Sequence, residues 1–172
     1  TAPMSAAAAW LVGAGVFPLA GYLVGSVPFG LLAGKANGVD IRSRGSGNLG
    51  ATNVWRVLGW QWGLTIFLAD VLKGLIPTLS AGWFLKSQPD IDGPAMFAAW
   101  LLTATGAILG HVFSLWLRFR GGKGVATSLG VVLGIWPYYT IPGLGAAAVW
   151  AAVTWLSRYV SLGSICAAVI FP

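Results

Sequence analysis

The stretch LTIFLADVLKGLIPTLSAGWFL, residues 64–85, decides the fold class of this chain. Apolar side chains dominate it, and Asp70 and Lys73 are its only charged residues. A helix needs about 20 largely apolar residues to cross the hydrocarbon core of a bilayer, and this stretch has that length. We therefore predict that residues 64–85 form a membrane-spanning helix.

The rest of the chain has the same character. Of its 172 residues, 57% are hydrophobic and 8% are charged, whereas a soluble domain carries about 25% charged residues. Because helices satisfy their own backbone hydrogen bonds in lipid, we predict an all-α, polytopic transmembrane helical bundle with about five to seven spans. The candidate spans are residues 6–32, 64–85, 95–117, 125–139, 143–156 and 160–172.

The loops between these segments differ in charge. Four Lys and Arg residues lie between the first two candidate spans and three lie at residues 118–123, whereas the intervening loops carry one or none. Cytoplasmic loops carry the excess of positive charge, so we predict the N-terminus outside and short interfacial helices in the cytoplasmic loops. The net charge of +6 is spread over these short loops and not gathered on one face, so we predict no nucleic-acid partner.

The segment GSGNLGATNVWR, residues 45–56, is the first glycine loop. Its glycines free the backbone to turn, and Ser46 and Asn48 are suitable N-caps for a short helix over Ala51–Leu58. A glycine turn that opens a helix directs several N–H groups at one point, which suits an anion. Arg56 lies far enough into the helix for its side chain to turn back towards the same anion.

This loop allows two other interpretations. Its letters also satisfy G-x-G-x-x-G, but the dinucleotide-binding motif requires a preceding strand and a βαβ unit, and neither fits this sequence. The second alternative is an interfacial loop and helix without a ligand. The density of glycine, hydroxyl, amide and guanidinium groups favours an anion site over that alternative.

The segment RFRGGKGVAT, residues 118–127, is the second glycine loop. It combines a glycine-rich turn with a lysine and a helix that starts just after it, which again suits phosphate. It is not a P-loop, because Leu117 occupies the position of the leading glycine and Gly124 follows Lys123. The alternative is a basic loop whose cations only set the membrane topology.

Three ionisable residues lie inside predicted spans. Asp70 and Lys73 are three residues apart, share a helix face and favour a structural ion pair, with a polar cavity as the alternative. His111 favours a hydrogen-bonded packing role over that of a base. The sequence shows neither paired carboxylates nor a Cys/His cluster, so we predict no metal or cofactor and a chemistry that depends on positioning and charge neutralisation.

With these motifs in hand, the sequence resembles the bacterial acyl-phosphate:glycerol-3-phosphate acyltransferase family. The resemblance covers most of the chain, and the two glycine loops together are its most specific part. The matching segments are residues 25–30, 45–56, 70–74, 110–111, 121–127 and 158–162. One departure is Ser114, where the family usually has a proline three residues after the histidine.

The resemblance implies an activity and a set of site residues. These enzymes transfer a fatty acyl group from acyl-phosphate to the 1-hydroxyl of sn-glycerol 3-phosphate, giving lysophosphatidic acid and phosphate, without a protein base. By motif, the catalytic residues are Ser46, Arg56 and Lys123. The substrate-binding residues are Gly45, Gly47, Asn48, Thr52, Asn53, His111, Gly121, Gly122, Gly124 and Thr127.

The resemblance also implies a setting. We expect one membrane-integral domain over residues 1–172 in the bacterial cytoplasmic (inner) membrane, monomeric, with the active site facing the cytoplasm. The family's C-terminal span and its motif of His, Arg and Asn do not occur before Pro172, so part of the glycerol 3-phosphate site is expected to be missing. The alternatives are a small transporter of phosphate or an organophosphate, and a non-catalytic scaffold.

Overall fold

The computed structural model describes residues 4–171, without the side chains of Val160, Ser161 and Ser164. Throughout that range the chain forms helices joined by turns and loops, with no β-strand. The predicted all-α transmembrane fold is therefore confirmed. The chain divides into two compact units, Thr1–Gly134 and Ile135–Pro172, and the expected single domain stays a prediction.

The described part of the chain contains nine α-helices. In chain order they are α1 (Ala6–Leu11), α2 (Phe17–Gly25), α3 (Phe29–Ala36), α4 (Ala51–Leu58), α5 (Trp60–Lys86), α6 (Gly93–Val112), α7 (Val125–Gly134), α8 (Thr140–Ser157) and α9 (Val160–Ile170). A π-helical segment, Val12–Val16, joins α1 to α2, and short 3₁₀ turns lie at Ile41–Ser43 and Leu115–Leu117. The predicted interfacial helix Ala51–Leu58 is present with the predicted bounds.

Among the described residues, four helical stretches are long and apolar enough to cross a membrane. They are Ala6–Ala36, Trp60–Lys86, Gly93–Leu117 and Thr140–Ser157. The prediction of residues 125–139 as one continuous span was wrong, because α7 ends at Gly134 ahead of Pro137 and is only about 15 Å long. The candidate span at residues 160–172 corresponds to α9, and its predicted end at Pro172 lies outside the described residues.

Close packing in the first unit depends on glycines at helix contacts. A Cβ atom added at Gly25 of α2 would overlap the backbone of Ala107 on α6, and one at Gly110 of α6 would overlap the carbonyl of Tyr22. Small residues let transmembrane helices approach until their backbones touch. The ends of α2 and α6 are therefore held together, and α6 places His111 at this end of the bundle.

Helices α5 and α7 pack in the same manner. A Cβ atom at Gly74 of α5 would overlap the carbonyl of Thr127, and one at Gly130 of α7 would overlap the carbonyl of Val71. The start of α7, which follows the second glycine loop, is thereby fixed against the charged segment of α5.

The second unit consists of α8 and α9. Gly163 of α9 packs against α8, where an added Cβ atom would overlap the hydroxyl of Thr154. The rings of Tyr139 and Phe171 also meet, with their centroids 5.8 Å apart.

Candidate active site

Asn53 organises the first glycine loop. This side chain is 2% exposed, and its Oδ1 atom accepts a hydrogen bond of 2.8 Å from the Ser46 N–H. Its Nδ2 group donates to the carbonyls of Ile41, Arg44 and Asn48 over 3.3, 3.1 and 2.9 Å. The Asn53 side chain therefore fixes the backbone of residues 41–48, which precede it in sequence. This geometry favours a positioning role for Asn53 within the predicted substrate-binding set.

Two glycines of this loop occupy the left-handed region, with φ of +57° at Gly45 and +70° at Gly47. That conformation is costly for residues with a Cβ atom, and at Gly45 the added atom would also overlap Asn53. The helix that follows has Gly50 as its N-cap, so the expected capping by Ser46 or Asn48 was wrong. Asn48 instead accepts a 2.8 Å hydrogen bond from the Gly50 N–H and closes the turn before the helix.

The second glycine loop folds back onto the C-terminal end of α6. The Gly121 N–H donates to the Val112 carbonyl over 2.9 Å, and the Gly122 N–H donates to the His111 carbonyl over 3.1 Å. A Cβ atom at Gly122 would overlap the imidazole of His111. Gly124 has φ of +80° and turns the chain into α7. The two central glycines are therefore needed for this close approach, which places Lys123 beside the end of α6.

The two glycine loops meet at a cavity of about 310 Å³ in the first unit. Eight of the residues predicted from sequence line it: Ser46, Asn48, Thr52, Asn53, Arg56, His111, Lys123 and Gly124. The other five do not line it: Gly45, Gly47, Gly121 and Gly122 belong to the loops, and Thr127 contacts His111. The structure thus brings together segments separated by about 60 residues, while the roles assigned to these residues stay predictions.

Arg56 and Lys123 are the cations of this cavity. Both are exposed, and neither forms an ion pair with a carboxylate anywhere in residues 4–171. The first turn of α4 also reaches the cavity through Ala51 and Thr52. The N–H groups of a first turn have no acceptor within their helix, so they add partial positive charge at the same point. The cavity is therefore suited to bind anions.

A buried polar cluster adjoins the cavity, and two of its members, Asp70 and His111, also line it. The Lys73 ammonium is 2.8 Å from the Asp70 carboxylate and donates to the Val27 carbonyl over 2.9 Å. His111 Nδ1 is 3.7 Å from Asp70 Oδ1 and 3.1 Å from Thr127 Oγ1. The predicted ion pair between Asp70 and Lys73 is confirmed, and His111 has the predicted hydrogen-bonded packing environment.

Six lining residues are outside the predicted site set: Gly50, Ala51, Val125 and Ala126, which belong to the two predicted loop motifs, and Phe67 and Asp70, which lie on α5. A signal for Asp70 was available, because a carboxylate inside an apolar span marks a functional or paired position. No signal distinguished Phe67, an apolar residue in an apolar helix, although it shares the helix face of Asp70. Within the described part of the chain no three His, Cys, Asp or Glu side chains are grouped as a metal site.

Residues 15–172 match the sequence profile of the family described as glycerol-3-phosphate acyltransferase. A curated protein of that name from Trichlorobacter lovleyi is 48% identical over 160 residues, which are 92% of this chain and 76% of that protein. One from Chlorobium phaeovibrioides is 43% identical over 157 residues, which are 88% of this chain. The chain spans 64% of the length of the Chlorobium protein, just under two thirds.

Solved structures give the same relationship. Two crystal structures of PlsY, an integral membrane glycerol 3-phosphate acyltransferase, are 42% identical to this chain and each cover 90% of it. The glycerol 3-phosphate form has a TM-score of 0.73 with 72% of that chain covered, and the lysophosphatidic acid form has 0.71 with 71% covered. The chain therefore belongs to the glycerol-3-phosphate acyltransferase family.

Proposed function

We propose that this protein transfers a fatty acyl group from an acyl-phosphate to the 1-hydroxyl of sn-glycerol 3-phosphate. The observation that carries the proposal is the cavity in which the two glycine loops bring the exposed cations Arg56 and Lys123 together. Family membership supports it, as does the glycerol 3-phosphate form of a similar solved protein. The acyl-phosphate donor rests on the resemblance of the loops and on the charge of the cavity.

Charge neutralisation is the main task in such a reaction. Both substrates carry phosphate, and two like unit charges 4 Å apart repel by about 4 kcal/mol at an effective dielectric constant near 20. Arg56 and Lys123 offset that repulsion, and among the described residues neither has a carboxylate partner to leave. Holding the two reactants together also removes much of the entropic barrier to a bimolecular step.

The polar groups of the first glycine loop provide different hydrogen-bond donors to the substrate. The Ser46 N–H is already bonded to Asn53, so Ser46 contributes its hydroxyl to the substrate. Ala51 and Thr52 contribute first-turn N–H groups, and Arg56 contributes its guanidinium. Together these donors stabilise the acyl-phosphate and the phosphate that leaves.

The transfer itself exchanges one acyl–oxygen bond for another. The hydroxyl oxygen of glycerol 3-phosphate bonds to the acyl carbon, the bond from that carbon to the phosphate oxygen breaks, and the hydroxyl proton passes to a phosphate oxygen. Acyl-phosphate is an activated anhydride with a good leaving group, so the step needs no protein base. His111 then acts on substrate position, through its contacts with Thr127 and the second glycine loop.

The setting of this activity is also part of the proposal. We place the protein as a monomer in the bacterial inner membrane, with the cavity facing the cytoplasm. The excess of Lys and Arg in the two loops that form the cavity supports this orientation.

The direct test uses purified full-length protein in detergent with palmitoyl-phosphate and glycerol 3-phosphate. We expect phosphate release that requires both substrates, together with lysophosphatidic acid detected by mass spectrometry. The absence of both products would refute the acyltransferase. Accumulation of glycerol 3-phosphate or phosphate in proteoliposomes, without acyl transfer, would establish the transporter instead.

A further inference from the structure

A second basic recess lies in the first unit, apart from the candidate active site. It is a cleft of about 620 Å³, and none of its lining residues also lines the 310 Å³ cavity. Three separate segments form it: α3, the 3₁₀ turn Ile41–Ser43 and the segment that follows α6. Its lining residues are Leu31, Lys35, Arg42, Trp116, Leu117, Arg118 and Arg120. We refer to it as the basic cleft.

All the charged side chains that line the basic cleft are cations. Arg42 is bonded to the Asp40 carboxylate at 2.9 Å. The other three, Lys35, Arg118 and Arg120, have no carboxylate partner within residues 4–171. The cleft therefore concentrates uncompensated positive charge in a concave site, where its field is focused on one ligand.

The basic cleft also lies where two membrane spans end. Lys35 is in the last turn of the stretch Ala6–Ala36, and Leu117 ends the stretch Gly93–Leu117. Trp116 stands beside the cleft with 64% of its surface exposed, as expected for an aromatic side chain at the level of lipid headgroups. Leu31 gives the cleft an apolar wall. The position and the mixture of groups match a phosphate attached to acyl chains better than a free ion in water.

The backbone that carries the two arginines is firmly held. The buried Ser114 hydroxyl donates to the Ser26 carbonyl over 2.6 Å, and the Phe119 N–H donates to the Ser114 carbonyl over 2.8 Å. Arg118 and Phe119 both have left-handed φ, 52° and 63°, which is uncommon for residues other than glycine. The arginines are thus presented by a fixed turn, so binding an anion there orders little additional backbone.

We propose that the basic cleft binds the headgroup phosphate of an anionic phospholipid from the surrounding bilayer. Cations that only set topology need no common recess, yet here cations from positions about 80 residues apart converge at the headgroup level. Basic pockets between transmembrane helices bind anionic headgroups through charge and hydrogen bonds. This site is distinct from the proposed substrate site, so either proposal can fail alone.

The test measures lipid binding by the purified full-length protein in detergent. Fluorescent phosphatidylglycerol is titrated against fluorescent phosphatidylcholine with the same acyl chains. The variant Arg118→Gln/Arg120→Gln is compared with Arg44→Gln/Lys86→Gln, which removes two positive charges elsewhere. We expect phosphatidylglycerol to bind the wild type and the control alike, and the cleft variant roughly tenfold or more weakly.

Three outcomes would overturn the proposal. They are equal binding by the cleft variant and its control, equal binding of the two lipids by the wild type, and complete displacement of phosphatidylglycerol by an equal concentration of inorganic phosphate. The last result would assign the cleft to a free anion. If the double variant fails to fold, Lys35→Gln tests the cleft from a different segment, with a smaller loss in the same direction expected and unchanged binding contradicting the proposal.

Discussion

Two pairs of charged residues lie at or next to the same cavity and differ in burial and in pairing. Asp70 and Lys73 are almost fully buried and bonded to each other, whereas Arg56 and Lys123 are exposed and lack a carboxylate partner within residues 4–171. A buried charge is stable only with a partner, because water no longer solvates it. An exposed cation beside a cavity needs no partner and stays available to a ligand. Pairing therefore separates structural charges from ligand-binding charges in this protein.

The largest expected effect is on turnover when a cavity cation is removed. We expect Lys123→Ala to lower the rate of acyl transfer by about 100-fold or more, since it removes a charge that stabilises the reacting phosphates. The matched control is Arg44→Gln, an exposed cation of the neighbouring segment that lines neither recess. A rate for Lys123→Ala close to that of the control would show that Lys123 is not a ligand-binding charge.

The next effect is on stability when the buried pair is broken. Lys73→Met leaves the Asp70 carboxylate buried without its partner, which costs about 3–5 kcal/mol. We expect a marked fall in thermal unfolding temperature in detergent. Asp70→Asn/Lys73→Met removes both charges and should recover part of that loss. If the single variant is as stable as the wild type, the pair is not structural.

A smaller effect is expected at the first glycine loop. Asn53→Ala removes the hydrogen bonds from this side chain to the Ser46 N–H and to three carbonyls. We expect the free energy of unfolding to fall by about 2–4 kcal/mol, because these backbone groups lose their partners. Asn37→Ala is the control, because that side chain donates one hydrogen bond of 2.8 Å to the Ala33 carbonyl. Equal losses in the two variants would contradict the organising role of Asn53.

The smallest effect concerns the surface pair of Asp40 and Arg42. The side-chain and backbone hydrogen bonds from Arg42 lower the pKa of the Asp40 carboxyl below its ordinary value. A lowered pKa contributes stability above the unfolded-state pKa, and that contribution is lost as the pH falls through the folded-state pKa. We expect carboxyl NMR to show a rise in the Asp40 pKa in Arg42→Gln, with little change in unfolding temperature at neutral pH. An unchanged pKa would show that the pair does not persist in solution.

Local signals in the sequence predicted much of the fold. The apolar run of residues 64–85 predicted α5, and the glycine turn with its polar residues predicted α4 with its bounds. The spacing of Asp70 and Lys73 predicted their pairing. Each of these depends on neighbours along the chain, so no tertiary information was needed.

Features that depend on tertiary contacts could not be predicted from the sequence. Hydropathy did not show that α7 stops at Gly134, because the apolar character continues past it. The bonds of Asn53 to carbonyls up to 12 residues away exist only in the folded loop. The same holds for Gly122, whose missing side chain is explained by the imidazole of His111 beside it. The candidate residues could be named from motifs, but their division into lining and supporting groups could not.

The central claim is that the exposed cations of the cavity, Arg56 and Lys123, bind substrate phosphate. Equilibrium binding of radiolabelled glycerol 3-phosphate to the full-length protein tests it directly, with Arg56→Gln/Lys123→Gln compared with the wild type and Arg44→Gln. The account predicts similar binding by the wild type and Arg44→Gln, and at least a tenfold weaker affinity for the double variant. Equal affinity in all three proteins would contradict it.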